Sequence, residues 1–124
     1  MLSPKSQLVA GWLFTALSSL VMIASATAKF IQPVGFADGF SRLGWPIGLA
    51  TPLAVLEIAC TALYLFPRTS VLGAILLTGY LGGAIATHLR VSDPYYGPVI
   101  LGVMVWEGLY FRNPRVRALI PLID

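Results

Sequence analysis

Charge is the scarcest commodity in this sequence. Of 124 residues only 10% are charged, eight basic and five acidic, while 57% are hydrophobic. A soluble domain carries about 25% charged residues, so an aqueous surface all round is excluded and lipid must be most of the solvent. The mean hydropathy of +0.83 says the same. A single cysteine, Cys60, excludes an intrachain disulfide and a C-x-x-C redox pair. A single histidine, His88, with no carboxylate cluster beside it argues against a metal centre. No glycine-rich loop follows a strand to cradle a phosphate. The serines have no base partner in the sequence, so there is no self-contained catalytic constellation. The alternating polarity of a spanning barrel is missing too, because the apolar runs are apolar all round. The net charge of +3 is small and falls partly in a basic tail, Arg112, Arg115 and Arg117, suited to anionic headgroups rather than to a nucleic-acid groove.

What the sequence does have is length in its apolar runs. A hydrocarbon core about 30 Å thick needs roughly 20 apolar residues per helix, and four stretches approach that: 8–28, 46–66, 71–88 and 97–111. They predict an all-α, integral membrane four-helix bundle, a single transmembrane domain over residues 1–124. The first run follows Lys5 and ends in Ala26-Thr27-Ala28, which imitates a signal peptide. It is longer than the roughly 7 to 15 residues of a signal h-region, so it reads as a retained span. Threading four helices puts Lys5, Arg68, Arg112, Arg115 and Arg117 on one side and Lys29, Arg42 and Arg90 on the other. Basic residues favour the cytoplasmic side of short loops, so both termini are expected inside (N-in/C-in).

The connections carry readable chemistry. Phe66-Pro67-Arg68-Thr69-Ser70 predicts a tight hairpin, its proline ending one helix and Thr69 or Ser70 capping the next. Between the third and fourth stretches, Pro98 suits a first helical turn, and Tyr95 and Tyr96 suit the interface. The connection from Lys29 to Trp45 is too polar to cross the bilayer and is expected to lie over the outer mouth as a lid.

Small residues predict where helices touch. Gly79 and Gly83, with Gly82 in a second row beside Ala74, Thr78 and Ala86, make two flat faces on the third helix. Close backbone approach across such faces drives association in lipid. The third helix is therefore expected at the packed centre, and the same face is the candidate for a homodimer. Gly11, Thr15 and Ser19 offer a weaker face on the first helix.

Polar groups at depth are the candidate site. Glu57 stands alone in PLAVLEIACTALYLF and must face the interior, because a charge at the bilayer centre is costly to insert. It is either a packing lock or a ligand or proton site. Counted from the Arg68 hairpin, Glu57 lies about 16 Å and His88 about 28 Å along the bundle, so they are not a direct pair. Lys29 ends the first helix on the His88 side and either snorkels to water or bends toward Glu57. Cys60, one turn after Glu57, either lines the same cavity or is an inert buried thiol. Glu107, close to Arg112, is expected to reach the interface or to pair with the basic tail.

Lys29, Leu43-Gly44-Trp45-Pro46, Glu57, Leu65-Phe66-Pro67 and Gly82-Gly83-Ala84 through His88-Leu89-Arg90 together resemble the DoxX-like family of membrane proteins, over roughly residues 10–111. The resemblance implies a four-helix protein of the bacterial inner membrane, with Lys29, Glu57 and His88 as the characteristic polar positions. Trp45 stands where tyrosine is common in the family. Relatives in the wider group look like membrane subunits of redox systems, some delivering electrons to quinone, and others look like chaperones or cargo receptors. The ligand-binding set expected on this footing is Lys29, Glu57, His88, Trp45 and Cys60. The occupant would be a quinone-like or other lipophilic molecule such as a lipid, and the partners the bilayer and membrane redox proteins. An assembly factor acting through helix contacts is the alternative, and a proton-linked transporter a weaker one.

Overall fold

The computed structural model describes residues 2–123, and among these there is no strand. Helix α1 runs Pro4–Ile31 and α2 Phe36–Arg42; a 3-10 turn, Ile47–Leu49, leads into α3, Ala50–Leu65; then follow α4, Ser70–Arg90, α5, Tyr96–Arg112, and the short α6, Pro114–Arg117. Three segments are long and apolar enough to cross a membrane: Pro4–Ile31, Ile47–Leu65 and Ser70–Arg90. This is a multi-pass membrane architecture. The fourth long helix, α5, has 17 residues and is about 25 Å long, a little short of a hydrocarbon core.

Helix α1 starts a full turn before the apolar run because Ser3 caps it, accepting from the Ser6 N–H at 3.2 Å, with Pro4 in the first turn where its missing N–H is harmless. It continues past Lys29 to Ile31, and a left-handed Gln32 followed by Pro33 ends it. At the Phe66–Ser70 hairpin the expected cap is not made. The hydroxyl of Thr69 donates back to Leu63 O at 2.7 Å and that of Ser70 to Pro67 O at 3.1 Å, so both stitch the end of α3 rather than the start of α4.

The four long helices form an antiparallel ring in the order α1, α3, α4, α5, each packed on its two neighbours. The register is fixed by specific contacts. Thr15 on α1 meets Tyr64 on α3, and the Tyr64 hydroxyl donates to Val105 O on α5 at 2.7 Å. The Trp106 indole N–H donates to Thr78 on α4 at 2.7 Å.

Gly11 makes the close approach expected of the first helix, but on α4 the close approach occurs at a different glycine from those expected. A Cβ on Gly73 would run into the backbone of Tyr64, one on Gly11 into the backbone at Arg112, and one on Gly108 into the hydroxyls of Thr15 and Tyr64. Gly79, Gly82 and Gly83 have nothing within 4 Å of where a Cβ would stand. The correction has a simple cause: α4 meets α3 tightly near the hairpin and leaves a gap toward the other end, where the second half of α4 stands. The core accordingly gathers around Tyr64, Leu77 and Leu109, toward the Arg68 end, with Met22 where it borders the cavity.

Candidate functional site

The gap is a cavity of about 590 Å³, enclosed by α1, α3, α4, the start of α5 and α2. Its walls are apolar and aromatic, including Phe36, Phe40, Trp45, Leu53 and Leu101. Gly79 and Gly83 line it, so their missing side chains create volume instead of contact.

Its polar floor is built by three helices. Glu57 on α3 is 1% exposed, and its Oε2 accepts from Lys29 Nζ at 2.8 Å and from the Tyr80 hydroxyl at 3.0 Å. Lys29 Nζ also donates to Ser25 Oγ at 2.7 Å. The meeting of Lys29 with Glu57 follows from helix geometry. Side chains lean toward the N-terminus of their own helix, and in antiparallel α1 and α3 this tilts Lys29 and Glu57 toward each other. An ammonium and a carboxylate at depth are tolerable only when paired in this way. Lys29 thus bends inward instead of snorkelling outward.

His88 lines the same cavity without joining the pair. Its Nδ1–H donates to Ala84 O at 2.7 Å, and its Nε2 lies 3.7 Å from Asp93 Oδ2, longer than a hydrogen bond. The two-turn offset between Glu57 and His88 counted from the hairpin agrees with this separation. Cys60 does not belong to the lining. Its thiol is buried in the core with Met22 and Tyr64, because it lies one turn closer to the hairpin than Glu57, on a similar face but below the floor of the gap.

Helix α2 covers the cavity at the end away from the hairpin, so the connecting segment forms a lid. Gly35 and Gly44 stand at either end with φ of 88° and 90°, a backbone region that side chains disfavour. Phe36 and Phe40 stack at 5.3 Å and turn toward the cavity. From the end of α4, Arg90 donates to Leu43 O and lies over the Trp45 ring at 5.7 Å, pinning the lid to the bundle.

Tyr80 is the floor residue that sequence reasoning missed. The signal was present: counting equal distances on either side of the Phe66–Ser70 hairpin sets position 79 opposite position 57, with Tyr80 next to it. Tyr64 and Arg112 were also missed. Arg112 Nη2 donates to Tyr64 O at 2.6 Å, and its guanidinium lies over the Trp12 and Tyr64 rings at 4.7 and 4.8 Å. This second polar cluster closes the hairpin end. Glu107 does not pair with the basic tail; it faces a groove between α4 and α5.

No group of three or more potential metal ligands comes together among the described residues. No curated protein and no solved structure matches the sequence. The family model described as DoxX-like family matches residues 13–108, from the first turns of α1 to the core of α5 and including the whole polar floor, and the chain belongs to that family.

Proposed function

We propose that the lidded cavity binds a small lipophilic molecule with one polar end, a quinone-like ligand being the best fit, and that the protein serves as an accessory subunit of a membrane redox system. The observation that carries this reading is a spare donor. Lys29 has three N–H groups, of which two are engaged, by Ser25 and Glu57. The third is available to a carbonyl oxygen entering along the aromatic walls. A cavity of about 590 Å³ lies in the usual range for small-molecule sites, apolar with a few convergent polar groups. The redox setting rests on family likeness alone, because the chain offers no evident ligation for flavin, haem or iron-sulfur. His88 and Trp45 act in this reading at the mouth of the cavity. Both termini lie in the cytoplasm of a bacterial inner membrane, the orientation favoured by five basic residues against three, and α5 completes the bundle as a fourth span.

The test uses the lid tryptophan. A short-chain quinone titrated into the purified protein should quench Trp45 fluorescence saturably, read as the difference between wild type and Trp45→Phe. Phe40→Ala and the paired replacement Lys29→Met with Glu57→Leu should each weaken binding about tenfold or more, while melting stays cooperative. Quinone affinity unchanged in the paired variant would overturn the reading.

A further inference from the structure

A second concave surface lies on the outside of the bundle. Between α4 and α5 runs a groove of about 740 Å³, floored by Gly82 and Gly102 and bounded at one end by Trp106 and Ile120. Those same two residues border a second hollow of about 720 Å³ at the hairpin end, which carries Arg68, Arg115 and Asn113. Trp106 joins the two, its indole N–H held by Thr78 across the groove.

The arginines at this end divide into two kinds. Arg112 donates to Tyr64 O, and Arg117 to Tyr110 O and Phe111 O, so both guanidiniums are held against carbonyls at helix ends. Arg68 and Arg115 are exposed, and neither guanidinium has a hydrogen bond or an ion pair among the described residues. Two cations without a partner among the described residues therefore border one hollow at the end of an apolar channel. From Val71 to Ile85 along α4 the paired hollows extend about 21 Å, more than the roughly 15 Å of half a hydrocarbon core.

We propose that this face holds one anionic phospholipid of the bilayer, its phosphate between Arg68 and Arg115 and one acyl chain laid past Trp106 over Gly82 and Gly102. Glu107 fixes the register. It is the acidic group on the groove wall, and it repels a phosphate from any position further along. The absent side chains at Gly82 and Gly102 leave the width a methylene chain needs. The site lies on the lipid-facing side of the bundle and is independent of the lidded cavity.

The experiment is retention of phosphatidylglycerol against phosphatidylcholine of identical acyl chains, counted by native mass spectrometry of the full chain released from mild detergent. Wild type should hold one phosphatidylglycerol in preference. Each of Arg68→Gln and Arg115→Gln should lower that preference roughly fivefold. Gly82→Leu should reduce retention of both lipids, since its side chain enters open space in the groove and leaves the fold intact. Lys5→Gln, at the same end but outside the groove, should change nothing, and excess glycerol phosphate should not displace the lipid. In bilayers, phosphatidylglycerol with brominated chains should quench Trp106 more than the brominated choline lipid does. Equal quenching by the two lipids, or a loss with Lys5→Gln as large as with either arginine, would overturn the proposal in favour of diffuse attraction to the basic end.

Discussion

At the hairpin end Gly11, Gly73 and Gly108 each lie against the backbone or a buried hydroxyl of a neighbouring helix, whereas at the lid end Gly79 and Gly83 look onto open volume. The polar groups divide in the same way. The Tyr64 hydroxyl and Arg112 Nη2 each donate to a main-chain carbonyl at the filled end. Lys29, Glu57 and Tyr80 satisfy one another at the edge of a space. Helix α4 serves both ends, tightly packed through Gly73, Ala74 and Leu77 and spread apart from Gly79 onward. A small residue in a membrane helix is therefore not a contact signal by itself. It records that a side chain was unwanted, for closeness in one place and for room in another.

The comparison can be broken most severely at Gly73. A leucine there has no free direction, because even the first carbon collides with the main chain of Tyr64. Overpacking against backbone cannot be relieved by a rotamer change, and Gly73→Leu should destabilise by about 4 kcal/mol or more. Thermal unfolding in detergent should show loss of the cooperative transition. A melting temperature within a few degrees of wild type would mean that α3 and α4 are not in contact there.

The polar floor comes next in size. Glu57→Ala leaves the Lys29 ammonium without its counter-charge, and breaking a buried pair from one side costs about 3–5 kcal/mol. Lys29→Met together with Glu57→Leu removes both charges and should return most of that stability, since apolar replacements of buried pairs are often neutral. Urea or thermal denaturation of the single and paired variants in one detergent measures the difference. If the paired variant is as unstable as the single one, the floor is a packing lock rather than a tolerated polar site.

The sequence disclosed the helices and the interior position of Glu57 because both follow from solvent: a bilayer demands long apolar runs and turns a lone carboxylate inward. The lid was legible from the polarity of residues 29–45, and the separation of Glu57 from His88 from simple counting. Tyr80 was within reach of the same count but carries no charge to draw attention. The roles of the glycines were not legible. Gly73 and Gly79 stand on one helix amid similar neighbours, and only the rotation and divergence of α4 relative to α3 decide which one meets a wall. Cys60 shares a face with Glu57, but one turn closer to the hairpin the space is already filled, so it is the buried thiol of the two readings its position allowed.

The finest test of the difference between the two ends is Gly83→Leu. A packing face would be ruined by it, as Gly73 is. Position 83 instead has open space at its Cβ and borders the cavity. Replacing glycine within a helix removes its conformational penalty of up to about 1 kcal/mol, and the added side chain gains contacts with the apolar walls. Stability should therefore stay level or rise slightly, a shift of at most a few degrees in the melting temperature. Cavity volume should fall at the same time, because a leucine side chain occupies space next to Phe40 and Leu101. Quinone binding should then weaken severalfold in a variant that is no less stable than wild type. A helix-packing role predicts the reverse pairing, lost stability with no separate effect on binding, so measuring both quantities on this one protein decides whether the gap in the second half of α4 is a site or a seam.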